Sequence, residues 1–138
     1  MRKKRYKFGL PKGQIFDYND NNIFKGIVNF LRNKSGNRIE NEVDITSSSV
    51  DWNNGPINVT LFEDKQRHFV SSDSPDSWIQ FDFKEHRTVP AFYTVRASFS
   101  WSPGGAHPKS WVIEVSNDAG QWEIVDEQKD CSLLIHSK

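Results

Sequence analysis

The chain is expected to fold as an all-β domain with one helix near its amino terminus. Three runs of alternating residues predict the strands. Ile79, Phe81 and Phe83 alternate with Gln80 and Asp82, and Tyr93, Val95, Ala97 and Phe99 alternate with Thr94, Arg96 and Ser98. Trp111, Ile113 and Val115 alternate with Val112, Glu114 and Ser116, and after Asn117-Asp118-Ala119-Gly120 the pattern resumes at Trp122 and Ile124. A two-residue period sends successive side chains to opposite faces of a half-buried strand. The Asn/Asp/Gly turn between the last two runs makes them a hairpin. A helical period is found where Phe24, Ile27, Val28 and Leu31 fall at i, i+3, i+4 and i+7, started by the preceding Asp/Asn cluster and stopped near Gly36.

Taken in order, residues 1 to 22 are a basic and polar lead-in or linker: MRKKRYK, then Gly9, Pro11 and Gly13, then the turn-rich DYNDNN. Residues 23 to 138 are the domain. Val43 and Ile45 alternate with polar residues up to Thr46-Ser47-Ser48-Ser49, the pattern of a short strand running into a turn. Pro90 precedes the Tyr93 run, where a missing N–H is tolerated. Trp111 and Trp122 share the phase of the aliphatic residues, so both rings are expected to fill the core, with a ligand platform as the alternative.

Composition narrows the function. A chain of 138 residues that is 36% hydrophobic suits one domain. Lys plus Arg equal Asp plus Glu at 18 each, but five of the positive charges lie in residues 1 to 7, leaving 13 against 18 acids elsewhere. The basic start is either an address or simply solvated. Nucleic-acid binding is not expected, because the aromatic residues are in phase with the core while the cations gather at the terminus. Lys12, Gln14, Asp17 and Asp20 interrupt any apolar leader, and the single cysteine, Cys131, excludes an internal disulfide. The expected location is intracellular, in the cytoplasm.

Chemistry is sparse. No Gly-x-Ser-x-Gly, phosphate-binding glycine loop or His-Glu-x-x-His is present. His68, His86, His107 and His136 lack paired ligand spacing, and one cysteine cannot build a thiolate zinc site. Asp126, Glu127 and Asp130 lack the glycine and alternating oxygens of an EF-hand loop. No enzyme, metal site or cofactor is expected.

Three blocks in sequence carry a family resemblance: Ile45-Thr46-Ser47-Ser48-Ser49, Ser77-Trp78-Ile79-Gln80-Phe81-Asp82-Phe83, and Lys109 through Trp122 with its Ser-Asn-Asp-x-Gly-x-Trp hairpin. Together they resemble the C-type domain of coagulation factors V and VIII, also called the discoidin or galactose-binding-like domain. The helix in Phe24 to Leu31 and the block Val89 to Arg96 are similar to the intracellular branch, in which the module often follows a BTB domain. The resemblance implies a discoidin-like jelly-roll β-sandwich that binds rather than catalyses, through loops at one end. A structural calcium ion, held in a loop of some related sandwiches, is neither demanded nor excluded. The family chain usually continues through further strands after the hairpin, so the expectation is a truncated sandwich with an open edge.

Carried over by position, the recognition loops hold Asp51, Trp52, Asn53 and Asn54 in the first and Arg67 and His68 in the second. The third contains Trp101, Ser102, Pro103, Gly104, Gly105, Ala106 and His107. Physical reasoning supports the two tryptophans, because neither sits where periodicity would bury it: Trp52 lies among Asp and Asn, Trp101 among Ser, Pro and Gly. Each therefore faces a partner or plugs its own loop. Arg67, His68 and His107 are ligand contacts or turn residues. The expected ligand is a protein partner; the alternative is a glycan stacked on the tryptophans, with Asp51, Asn53, Asn54 and His107 bonding its hydroxyls. A further alternative is an accessory domain of an enzyme outside this sequence. Anionic membranes do not fit an Asp/Asn-rich first loop, and the sequence does not specify an oligomeric state.

Overall fold

The computed structural model describes residues 13–18, 20–64, 66–97, 107–132 and 134. Its helix, α1, spans Ile27–Lys34. It begins after a turn closed by the Lys25 amide on the Asn22 carbonyl, with Gly26 at the cap and no capping side chain. The expected Asp/Asn start is thus displaced: the acidic cluster ends one turn too early, and Phe24 lies outside the helix, stacked on Phe62 at 5.1 Å. The end of α1 is where the sequence places it. Gly36 takes a left-handed φ of 64°, its amide reaches the Asn33 carbonyl, and the Asn37 amide reaches back to Arg32 at 2.9 Å. This pair of bonds is a Schellman motif, which satisfies the last helical carbonyls and needs a residue free of a Cβ penalty. Arg32 and Lys34 in the last turn also complement the helix dipole.

Two small antiparallel sheets follow. In the first, β1 (Asp44–Ser47) pairs with β2 (Ile79–Asp82) so that Ile45 faces Phe81 and Ser47 faces Ile79. Directly opposed residues share a face, so Ile45 and Phe81 point together toward α1. Leu31, Ile39 and Val43 are the buried hydrophobic residues among those described, with Ile27, Val28, Ile45, Phe81 and Phe83 packed around them. Ile39 lies in a short 3-10 turn, Ile39–Asn41, that carries the chain from α1 into β1. A second 3-10 turn, Pro56–Thr60, is tied to α1 by Arg32 Nη1, which donates to the Thr60 carbonyl at 3.1 Å.

The second sheet is the predicted hairpin, β3 (Trp111–Val115) with β4 (Glu123–Gln128). Asp118 shapes its turn, accepting the Gly120 and Gln121 amides on Oδ1 at 2.8 and 3.0 Å; these bonds hold its carboxyl below the ordinary range. One expectation fails here. Trp122 precedes β4 and is 44% exposed, and Ile124 is 59% exposed. The reason is a bulge between Ile113 and Glu114: Ile113 faces Asp126, while Ile124 is set opposite Glu114 on the outer face. A single extra residue in one strand reverses which side chains point inward.

The alternating run at Tyr93 forms no ladder over residues 91–97, and its continuation at 98 and 99 lies outside the described residues. Side chains hold this stretch instead. Thr94 Oγ1 donates to the Ile23 carbonyl at 3.1 Å, Arg96 donates to the Phe62 carbonyl at 2.7 Å and lies over the Phe24 ring, and the Tyr93 hydroxyl donates to Asp126. Trp111 Nε1 in turn donates to the Tyr93 hydroxyl at 3.1 Å. Asp126 is therefore held below the usual carboxylate range, chiefly by the Tyr93 hydroxyl, and the phenol is pushed up by the same bond.

Polar ties also lock the core's rim. Glu42 Oε2 accepts from His86 Nε2 at 2.6 Å and lies 3.5 Å from Lys34, while Lys84 pairs with Asp44 at 3.0 Å. The His86 bond is the main cause that lowers the Glu42 carboxyl.

Two measurements check this account. Leu31→Ala, at 3% exposure, is expected to cost about 2–4 kcal/mol in denaturant unfolding, while Ile124→Thr on the outer face stays within about 0.5 kcal/mol. Because Glu42 is lowered on folding, its contribution is complete above the unfolded carboxyl value and disappears as pH falls through the folded one. Glu42→Gln is accordingly expected to flatten the acid limb of a melting-temperature profile; an unchanged acid limb would contradict the tie.

Candidate functional site

Where β1 ends, the chain crosses to the segment before β2 through a series of paired groups. The Ser48 amide donates to the Trp78 carbonyl at 3.1 Å, and the Trp78 amide donates to Ser48 Oγ at 3.1 Å. One step further the Ser72 amide donates to Ser49 Oγ at 3.0 Å. Then the Asp51 amide donates to Val70 at 2.8 Å, and the Val70 amide donates to the Asn54 carbonyl at 3.2 Å. The serine run is thus a strip of short hydroxyl side chains that stitches two loops side by side. From sequence it read only as a turn.

Asp51-Trp52-Asn53-Asn54 is a tight turn closed by the Asn54 amide on the Asp51 carbonyl at 3.3 Å. Trp52 occupies its first central position at φ 54° and is 86% exposed. A left-handed backbone costs an ordinary residue about 1–2 kcal/mol, and a β-carbon as bulky as tryptophan's gains nothing there. The ring is therefore not a plug in its own loop. It is presented to solvent by a turn whose ends are bonded to the neighbouring strand-like segment at Val70.

The second loop leans on the same frame. Buried Asn58, in the Pro56–Thr60 turn, donates Nδ2 to the His68 carbonyl at 2.9 Å. His68 Nδ1 lies 3.1 Å from the Gln66 carbonyl, and Arg67 Nε lies 3.8 Å from Asp64. His68 is half-buried and serves the loop's shape; Arg67 is exposed. Asp51, Trp52, Asn53, Asn54, Arg67 and His68 are thus brought together on two adjoining loops. Trp101 lies outside the described residues, and His107 is half-buried where the described chain resumes.

No group of three His, Cys, Asp or Glu that could hold a metal ion is found among the described residues, and no helix among them is long and apolar enough to cross a membrane. The described residues thus form two small antiparallel sheets and one helix, with an exposed tryptophan on loops stitched to the first sheet. The model of the F5/8 type C domain family matches residues 44–133, and the chain belongs to that family, with its discoidin-like all-β fold. No curated protein and no solved structure matches it. The matched span opens at β1 and takes in both sheets and both loops; α1 lies before it.

The turn's strain can be tested without a ligand. Trp52→Gly is expected to leave stability unchanged or raise it by up to about 1 kcal/mol, relief of the left-handed backbone being offset in part by glycine's larger unfolded-state entropy. A loss above about 2 kcal/mol would instead mean that the ring packs on the domain.

Proposed function

We propose that this domain is an intracellular recognition module that holds a protein partner through the ledge formed by Asp51, Trp52, Asn53 and Asn54 with Arg67 and His68 beside it. Trp101 and His107, from the loop before β3, are proposed to complete the surface. The observation that carries the reading is Trp52: an 86% exposed ring on a left-handed residue, fixed by backbone bonds to Val70. Strain of this kind is retained where the surrounding structure imposes it and function uses it. Exposed tryptophan is also the side chain that contributes most to binding when a partner covers it. The resemblance of Phe24 to Leu31 and of Val89 to Arg96 to the BTB-associated branch favours a protein partner inside the cell.

A glycan is the competing ligand, favoured by exposed Asn53 and half-buried Asp51 in the same turn as Trp52. Native-state ligands raise the unfolding midpoint by mass action. With a panel of galactose-type sugars the midpoint of the wild-type domain is expected to stay in place, whereas affinity capture retains a protein that Trp52→Gly loses. A sugar that raises the wild-type midpoint, but not that of Trp52→Gly, would replace the protein reading by the lectin one.

A further inference from the structure

Resting on the reading of Trp52 as a contact residue, we infer that the ledge recognises a cationic segment, one rich in lysine or arginine, of a partner protein. The ring selects the partner's chemistry together with the charges set around it. Between Ser48 and Trp78 the chain carries Asp51, Glu63, Asp64, Asp73 and Asp76 against Lys65 and Arg67, a net charge of −3. The hydrogen bonds place most of these acids beside the ring's loop. Asp51 is its immediate neighbour, and the turn holding Asp73 and Asp76 is fastened to Ser49 through the Ser72 amide and to itself through Ser77 Oγ on the Ser74 carbonyl. Asp73, Asp76, Glu63 and Asp64 are exposed. The one described cation on these loops, Arg67, lies against Asp64 and is directed to an acid already there.

An exposed tryptophan face attracts ammonium and guanidinium groups through its quadrupole, and the attraction grows when the contact is desolvated. Carboxylates on the loops beside its turn add complementary potential, steer the encounter and select against acidic partners. A neutral sugar would use the ring but leave the surrounding charge without a role. An acidic partner or an anionic membrane would meet like charge at Asp51, Asp73 and Asp76.

The test is fluorescence anisotropy of labelled hexalysine and hexaglutamate peptides titrated with the full chain, repeated with Trp52→Gly and with the double variant Asp73→Asn, Asp76→Asn. Hexalysine is expected to bind, with Trp52→Gly weakening it about 5- to 30-fold, whereas any hexaglutamate binding, which the five positive charges of residues 1 to 7 would supply, is expected not to change with Trp52→Gly. The double variant is expected to weaken it further in low salt than in high salt, because surface charge is screened. Equal affinity of wild type and Trp52→Gly for hexalysine, or no hexalysine binding, overturns the inference. Ligand thermal shifts separate the two levels: a protein partner without a cationic segment whose shift requires Trp52 keeps the ledge as a protein site and rejects only the cationic inference, whereas a sugar whose shift requires Trp52 replaces the protein reading as well. Far-ultraviolet circular dichroism of each variant establishes that a lost signal is not a lost fold.

Discussion

The antiparallel ladder between β1 and β2 is the constraint on which the rest of this structure depends. Its register sets Ile45 against Phe81 on the face that meets Leu31, Ile39 and Val43. A slip of one residue would turn that apolar pair outward and put Thr46 and Gln80 in its place, which the small core could not absorb. The same register fixes where the ladder stops, at Ser47 and Ile79. Beyond that point Ser48, Ser49 and Asp51 each meet a partner on the returning chain. The loops that carry Asp51 to Asn54 and Val70 to Ser77 therefore inherit their geometry from the core ladder, although they contribute little to it.

Apolar burial alone does not hold this domain together. The fully buried cluster is small, and specific polar ties join the remaining segments to it: Arg32 to the Thr60 carbonyl, Asn58 to His68, His86 and Lys34 to Glu42. Ion pairs at a surface contribute little each, but carbonyls and amides that would otherwise be left unpaired are costly when buried. The hairpin half follows the same logic. Asp126 lies on the inner face of β4, and the Tyr93 and Gln128 side chains that donate to it make that position tolerable.

Much of this was legible in the sequence. The alternation at Ile79 to Phe83, the turn residues Asn117 to Gly120 and the stop at Gly36 each rest on a local property of the chain, and each is realised. The misses share a different cause. The bulge that exposes Ile124 is a register event between two strands, and period-two reasoning on either strand alone cannot register it. The Tyr93 run reads as a strand by alternation, yet its described part is held by side chains that find distant carbonyls. For the loops, the sequence pointed to Trp52 through its polar neighbours, but its left-handed backbone and its bonding to Val70 arise only from the fold. The serine run contained a usable signal: short hydroxyls in series beside a strand end can close backbone groups across a gap.

Trp52 sits on a turn fastened beside the core sheet through Val70, and amide hydrogen exchange at Asp51 and Val70 is the decisive measurement. Both amides donate across the two loops. They are expected to exchange slowly, at rates approaching those of the β1 and β2 amides, because they open only when the sheet does. Exchange of both as fast as an unstructured peptide, with the sheet still protected, would show the ledge to be a free loop and would remove the physical basis for assigning recognition to it.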